Sequence, residues 1–168
     1  MGNRGVVQGA DTEPFLRDER GLYYGEAASV VRPASTEECA RIIKTCQEAG
    51  IGVVPQGGNT GYCGGATPFD ANKQIVLNIS RMNRIREVDP VNFSMTVEAG
   101  LVLSEAHSAA EEHDLMFPLS MGSQGSCQIG GVLSTNAGGV SVLRYGNARD
   151  LVLGLEVVLP NGEILSEL

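Results

Sequence analysis

The chain has 168 residues, 42% of them apolar and 19% charged, with a formal net charge of −8. That is enough chain for one substantial core or two small lobes, and too apolar for a disordered segment. The acidic balance excludes nucleic acid or an anionic membrane as the main partner, since both select clustered Lys and Arg. Any bound anion must therefore be held locally, against the long-range field of the protein.

Residues 1–25 carry little periodicity and are expected to form an extended N-terminal arm. The opening "MGNRGV" fails as a myristoylation signal because Val6 stands where Ser or Thr is needed. "AASVVRPAS" predicts a short strand, Ala28 to Arg32, closed by Pro33. "STEECARIIKTCQEAG" predicts a helix, with Ser35 and Glu38 at capping-box spacing and Gly50 as its stop. Cys39, Ile42, Ile43 and Cys46 recur at i, i+3, i+4 and i+7, one buried face, so both cysteines are read as core filler.

"GVVP" predicts a strand ending at Pro55, and a glycine-rich loop follows it. "QIVLNIS" is a buried strand, and "IREVD" and "FSMTVEAG" pair around Asp89-Pro90. "LSEAHSAAEEHDL" is a second helix, with Ser104 expected at its N-cap. Pro118 to Leu143 carries no charge and is long enough to span a bilayer. Its Gly, Ser, Asn and Gln content excludes a membrane helix and predicts a loop. "LVLGLEVVLPNGEILSEL" is a hairpin turning at Asn161-Gly162. The order is an α+β pattern. The last strand ends without a cap, and a hairpin arm wants a sheet neighbour, so the chain is expected to belong to a longer one.

Eleven of the 22 glycines sit in two uncharged windows. Gly57, Gly58, Gly61, Gly64 and Gly65 lie in the first; Gly122, Gly125, Gly130, Gly131, Gly138 and Gly139 lie in the second. Glycine lets a ligand approach the backbone closely, and successive amides in such turns point into a shared anion-holding concavity. A Walker loop is excluded because neither window has a lysine. A Rossmann fingerprint is excluded because "GGNTGYCGG" lacks its register. The alternative for either window alone is a long turn without function.

"VVPQGGNTGYCGGATP", together with "MFPLSMGSQGSCQIGGVLSTNAGGVSVLRYGNARDLVLGLEVVLPNGEIL", resembles the FAD-binding domain of the vanillyl-alcohol-oxidase/PCMH flavoprotein family. Within it, the chain is similar to the D-lactate, glycolate and D-2-hydroxyglutarate dehydrogenase branch, and "GLYYGEAASVVRPASTEE" matches the entry into that fold. The resemblance implies an α+β domain of two lobes with non-covalent FAD between them. The first lobe covers 26–80 with a pyrophosphate loop at 55–65. The second covers 81–168 with an FAD loop at 118–143 and is incomplete at its C-terminus.

By the same resemblance, Gln56, Gly57, Gly58, Asn59, Thr60 and Gly61 wrap the pyrophosphate. Pro118, Gly122, Ser126, Cys127, Gly130, Gly131, Ser134, Asn136 and Gly138 line the pyrophosphate, ribityl chain and flavin edge. Tyr62 and Cys63 depart from the family's aliphatic pattern. Covalent members tether FAD through a histidine in this loop, and this loop has none.

The implied reaction is hydride transfer from Cα of a 2-hydroxy acid to flavin N5, as an oxidoreductase. The branch places its substrate carboxylate clamp, metal-binding histidines and base in a later cap domain, so no catalytic and no metal residue is assigned here. The branch's glycine-rich segment that completes the second lobe is also absent from these residues, which is expected to weaken FAD binding. Two alternatives stay open: a non-catalytic scaffold on the same fold, or another flavin reaction such as enolpyruvyl reduction. The electron acceptor and any homodimerisation are left open.

The remaining candidates are bland. His107 and His113 are read as solvated surface histidines rather than a metal pair. Arg144 is either a phosphate or carboxylate partner or a surface residue. Asp150 and Glu156 are read as satisfied strand-end carboxylates, and Cys127 as a small packing residue rather than a redox thiol. Four cysteines without a C-x-x-C pair, and no secretory signal, set the expected location as the cytoplasm.

Overall fold

The computed structural model describes residues 5–168. The first four residues of the arm, with most of "MGNRGV", lie outside the described residues. Two separate apolar clusters organise the chain, giving the two-lobed α+β architecture.

The first lobe is built on a four-stranded sheet in the order β1-β2-β4-β3, from β1 (Val6–Val7), β2 (Val30–Val31), β3 (Gly52–Gln56) and β4 (Gln74–Asn78). β2, β4 and β3 run parallel, with Val30 and Val54 both in register with Val76; β1 pairs antiparallel to β2. The arm is not simply extended. It folds into a 3-10 turn at Gly9–Thr12 and a short helix, α1 (Glu13–Leu16), where Pro14 suits the first turn.

Helix α2 (Thr36–Ala49) follows the sequence reading closely. Ser35 Oγ accepts from the Glu38 amide at 3.2 Å, and Gly50 closes the helix at φ 67°. The Glu38 carboxylate reaches back one residue beyond the cap, accepting from the Ala34 amide at 2.9 Å. Cys39 and Cys46 join Val31, Ile75 and Leu77 in the first core. Burial pushes the Cys39 thiol up to about 11, as expected of a packing residue.

In the second lobe, β5 (Ile85–Asp89) and β6 (Ser94–Val97) form an antiparallel pair, and α3 (Leu103–Glu111) follows. The cap of α3 is not Ser104, which lies inside the helix. Val102 precedes the helix, and its amide donates to the Glu105 carboxylate at 3.1 Å. His113 lies beyond the helix end. The 118–143 stretch is not all loop: it contains α4 (Ile129–Ser134) and leads into α5 (Val142–Tyr145). Isoleucine and valine at 129 and 132 supply α4 with a buried edge despite its two glycines. The second core gathers Leu101, Leu103, Ala106, Leu119, Cys127, Ile129, Val132 and Ala148.

The final hairpin, β7 (Leu155–Val158) and β8 (Ile164–Glu167), turns through Gly162 at φ 83°. It begins later than the sequence suggests, because Ala148–Leu151 form a 3-10 turn. The hairpin lies against α2: Val158 packs on the first core and Thr36 Oγ1 donates to Glu156 Oε1 at 2.6 Å. The same carboxylate accepts from Arg86 Nη2 at 3.0 Å, so α2, β5 and β7 meet at one oxygen. Arg86 Nε also lies 3.9 Å from Glu98, whose fully buried side chain is held by Arg84 at 2.8 Å. No helix among the described residues is long and apolar enough to cross a membrane.

The two glycine-rich windows meet in space. A β-carbon on Gly58 would stand 1.9 Å from the Ser126 carbonyl oxygen, and one on Gly57 would stand 3.1 Å from Gln128 Oε1. Gly58→Ala therefore drives the windows apart and lowers stability by about 3 kcal/mol. Gly61→Ala, with nothing within 4 Å, changes it by less than about 0.5 kcal/mol. Paired denaturant melts of the two variants check this.

Glu98 and Glu156 also set an acid limit. Burial alone raises the Glu98 carboxyl, but hydrogen bonds and charge from Arg84, with Arg86 behind, outweigh it and hold the group below the usual range. Arg86 and Thr36 lower Glu156 likewise. A depressed folded-state pKa stabilises the fold above the unfolded value, ~4.3, and that contribution disappears as pH falls through the folded value. Glu98→Gln should cost about 1–2 kcal/mol at pH 7 by weakening the charge-assisted hydrogen bonds that the buried side chain accepts from the largely exposed Arg84. The gap to wild type should close below about pH 4, as thermal melts across pH 3–7 would show.

Candidate functional site

The first loop leaves β3 under tension from a buried polar chain. Gln56, only 2% exposed, donates from Nε2 to the carbonyls of Phe15 (2.9 Å) and Ala66 (3.0 Å). One side chain thus ties the arm, the strand end and the far end of the loop together. Asn78 donates to Gln56 Oε1 at 3.3 Å and to the Gly57 carbonyl at 3.1 Å. Asn78 is itself fixed by Ser80, whose hydroxyl donates to Oδ1 at 2.6 Å and accepts from Arg32 at 3.0 Å. The carboxamide of Gln56 is fully used within the protein. It shapes the loop that the resemblance assigns to the pyrophosphate.

Past Gln56, the backbone donors are left over. None of the amides from Gly58 to Ala66 donates to another described residue. Asn59 takes the left-handed conformation (φ 53°) and Gly64 follows at φ 71°, which curls this run. Asn59 Nδ2 donates to the Arg17 carbonyl at 2.7 Å, docking the arm on the loop. Thr60 and Gly61 stand at the outer bend, where the Cα of Gly61 faces open space. Tyr62 is exposed, and the Arg20 guanidinium lies 3.8 Å from its ring centre. The loop itself is uncharged, yet the arm brings a cation to it. Sequence spacing of 42 residues gave no sign of this pairing.

The second window folds back on itself. Its start is pinned by His107, whose Nε2 lies 2.7 Å from the Leu119 carbonyl; this histidine is half-buried rather than a solvated surface group. Pro118 borders a hollow of about 280 Å³ beside His107 and Phe117. Gly139 crosses so close to Ser120 that a β-carbon would stand 2.4 Å from its carbonyl, and a β-carbon on Gly138 would stand 3.2 Å from Asn147 Oδ1. The amides of Gly122, Ser123, Gly125, Gly138 and Gly139 donate to no described residue. The Cα faces of Gly122, Gly125 and Gly131 are open.

Four of the expected cofactor residues make contacts within the fold. Cys127 is buried in the second core, its amide donates to Ser123 and its carbonyl accepts from Leu103, so it has no free polar group. Burial raises its thiol, in keeping with a packing role. Gly130 donates to the Ala99 carbonyl at 2.7 Å, and its missing side chain lets α4 pack on Ala99. Ser134 bonds back to the Gly130 carbonyl at 2.6 Å. Asn136, at φ 50°, accepts from the Arg149 amide at 3.1 Å. Arg149 also caps α4 through the carbonyls of Leu133 (2.9 Å) and Ser134 (2.7 Å). Ser126 keeps an exposed hydroxyl at the contact with Gly58. Arg144 is exposed beside the Tyr145 ring. Asp150 caps the Asn147 amide at 2.7 Å.

The juxtaposed loops offer curved rows of unpaired amides, glycine faces without β-carbons and, at their contact, the buried unpartnered oxygen of Gln128. This donor set suits a dinucleotide diphosphate in an acidic protein, so the residues present fit FAD. Gln128 escaped the sequence reading because its burial arises only when the two windows meet.

Known proteins agree. The chain is 46% identical over 155 residues to a D-2-hydroxyglutarate–pyruvate transhydrogenase of Saccharomyces cerevisiae, covering 92% of this chain and 31% of that protein. It is 42% identical to a probable D-2-hydroxyglutarate dehydrogenase of Oryza sativa, covering 100% of this chain and 30% of that one. The chain thus spans about 30% of the length of these relatives. Its fold matches an alkyldihydroxyacetonephosphate synthase with a TM-score of 0.86 at 20% identity, over 99% of this chain and 32% of that one. The expected cytoplasmic location is overturned: the relatives from Oryza sativa, Danio rerio, Bos taurus and Arabidopsis thaliana are named as mitochondrial proteins. The profile of the FAD binding domain matches residues 27–166, and with both amide-lined loops inside that span, the chain belongs to this family of FAD-binding domains.

Proposed function

We propose that the full-length protein is a flavin-dependent dehydrogenase of a D-2-hydroxy acid, with D-2-hydroxyglutarate the leading candidate. The observation that carries this reading is the identity of 42–46%, sustained across nearly the whole chain, to proteins named for that substrate. Bound FAD supplies the two-electron acceptor for oxidation at a hydroxyl-bearing carbon. The residues of this chain hold and shape the cofactor. Gln56, Asn78 and Ser80 fix the curl of the first loop, and Gly58 lets the second loop close against it. Free amides of both loops would hold the diphosphate, so that an acidic chain could bind it without a lysine. The groups that grip the substrate carboxylate and take its hydroxyl proton belong to the cap domain.

Two measurements test this. Acid precipitation of the purified full-length protein should release all of its FAD into the supernatant, as non-covalent binding requires. Anaerobic addition of D-2-hydroxyglutarate should then bleach the flavin absorbance of intact protein, with D-lactate weaker and the L-enantiomers inert. Retained FAD that no 2-hydroxy acid bleaches would replace the dehydrogenase reading with that of a scaffold.

A further inference from the structure

Gln128 is 7% exposed, and its Oε1 is a buried acceptor with no donor among the described residues. No hydrogen bond from its Nε2 is present among the described residues either. An unmet buried carbonyl costs stability comparable to a lost hydrogen bond. The position is not a remote corner of the core. The carboxamide lies against Gly57, at the contact between the two amide-lined loops, one residue beyond the Ser126–Cys127 backbone that meets Gly58. By contrast Gln56, the other buried glutamine of the site, has both ends of its carboxamide satisfied.

We infer that Gln128 is a cofactor-binding side chain whose Oε1 accepts a hydrogen bond from a hydroxyl of bound FAD. The assignment rests on FAD as the ligand of these loops. Diphosphate oxygens are acceptors and offer nothing to a carbonyl oxygen. FAD also donates from the flavin N3–H and the adenine amine, at its two far ends. The donors adjoining the diphosphate, which the free amides of these loops suit, are the hydroxyls of the ribityl chain and of the adenosine ribose. The free amides and the orphan carbonyl are thus complementary. The amides neutralise charge, and the carboxamide reads a neighbouring hydroxyl. A carbonyl left unpaired in the flavin-free protein and paired in the holoprotein also binds free energy into the loaded state.

The test uses Gln128→Leu and Gln128→Met in the full-length protein, stripped of flavin and titrated with FAD by fluorescence quenching. Met, unbranched and similar in length, guards against poor packing of Leu. FAD affinity should fall about tenfold, while the flavin-free variants melt at or above the wild-type temperature because the orphan acceptor is gone. That opposite movement separates ligand binding from a structural role. Parallel titrations with FMN and ADP locate the hydroxyl: weakened FMN binding assigns it to the ribityl chain, weakened ADP binding to the ribose. Unchanged FAD affinity in both variants overturns the inference, and so does a loss of flavin-free stability that matches the loss of affinity. If wild type itself takes up no FAD, the cofactor reading falls and this inference with it. Wild-type binding with unaltered variant binding removes this inference alone.

Discussion

The site depends on one contact made without a side chain: the α-carbon of Gly58 against the carbonyl of Ser126. Two peptide segments can approach this closely only if one lacks a β-carbon. Because the first loop leaves the first lobe and the second belongs to the other, this contact brings the two windows together, alongside the Thr36–Glu156–Arg86 link between the lobes. The polar chain from Arg32 through Ser80 and Asn78 to Gln56 then fixes where Gly58 can be. The ring of His107 fixes where the opposite loop begins.

This arrangement answers the electrostatic difficulty posed by the net charge of −8. Long-range repulsion of an anion is screened within roughly 8–10 Å at ordinary salt, whereas amide dipoles act at hydrogen-bond distance. Neutral backbone donors can therefore serve where the loops themselves carry no Lys or Arg. Arg20, stacked on Tyr62, places positive charge at the rim of the loop without putting a charged side chain inside it. The buried turn at Asp18, which accepts from the amides of Arg20 and Tyr23, holds that arginine in place.

Local features were legible in the sequence, and long-range ones were not. The capped helix from Thr36 to Ala49 and the turn at Gly162 depend on residues within a few positions of one another. The two windows were recognisable because glycine enrichment without charge is a local property. Their detailed roles were not. Gly130 and Cys127 carry the same motif as their neighbours, yet one packs a helix against Ala99 and the other fills a core. The α4 helix was missed because two glycines hide a short amphipathic edge whose amides are satisfied by the segment at Ala99–Leu101. Hydrogen bonds such as Thr36 to Glu156, 120 residues apart, have no signature in local composition.

The location of polar burial separates shape from binding. Gln56, Asn78 and Glu98 are buried and fully engaged, so they stabilise the unliganded fold and bring no unspent hydrogen-bonding capacity to a ligand. Gln128 is also buried, yet its side-chain oxygen has no hydrogen-bond partner among the described residues. A protein selected for stability alone would place an apolar residue there, since a half-satisfied polar group is worse than none. Its retention at the meeting of two ligand loops follows if the missing partner arrives with the cofactor. On the proposed reading, the glycines would give the cofactor room, the amides would meet its charge, and this carboxamide would meet one of its hydroxyls.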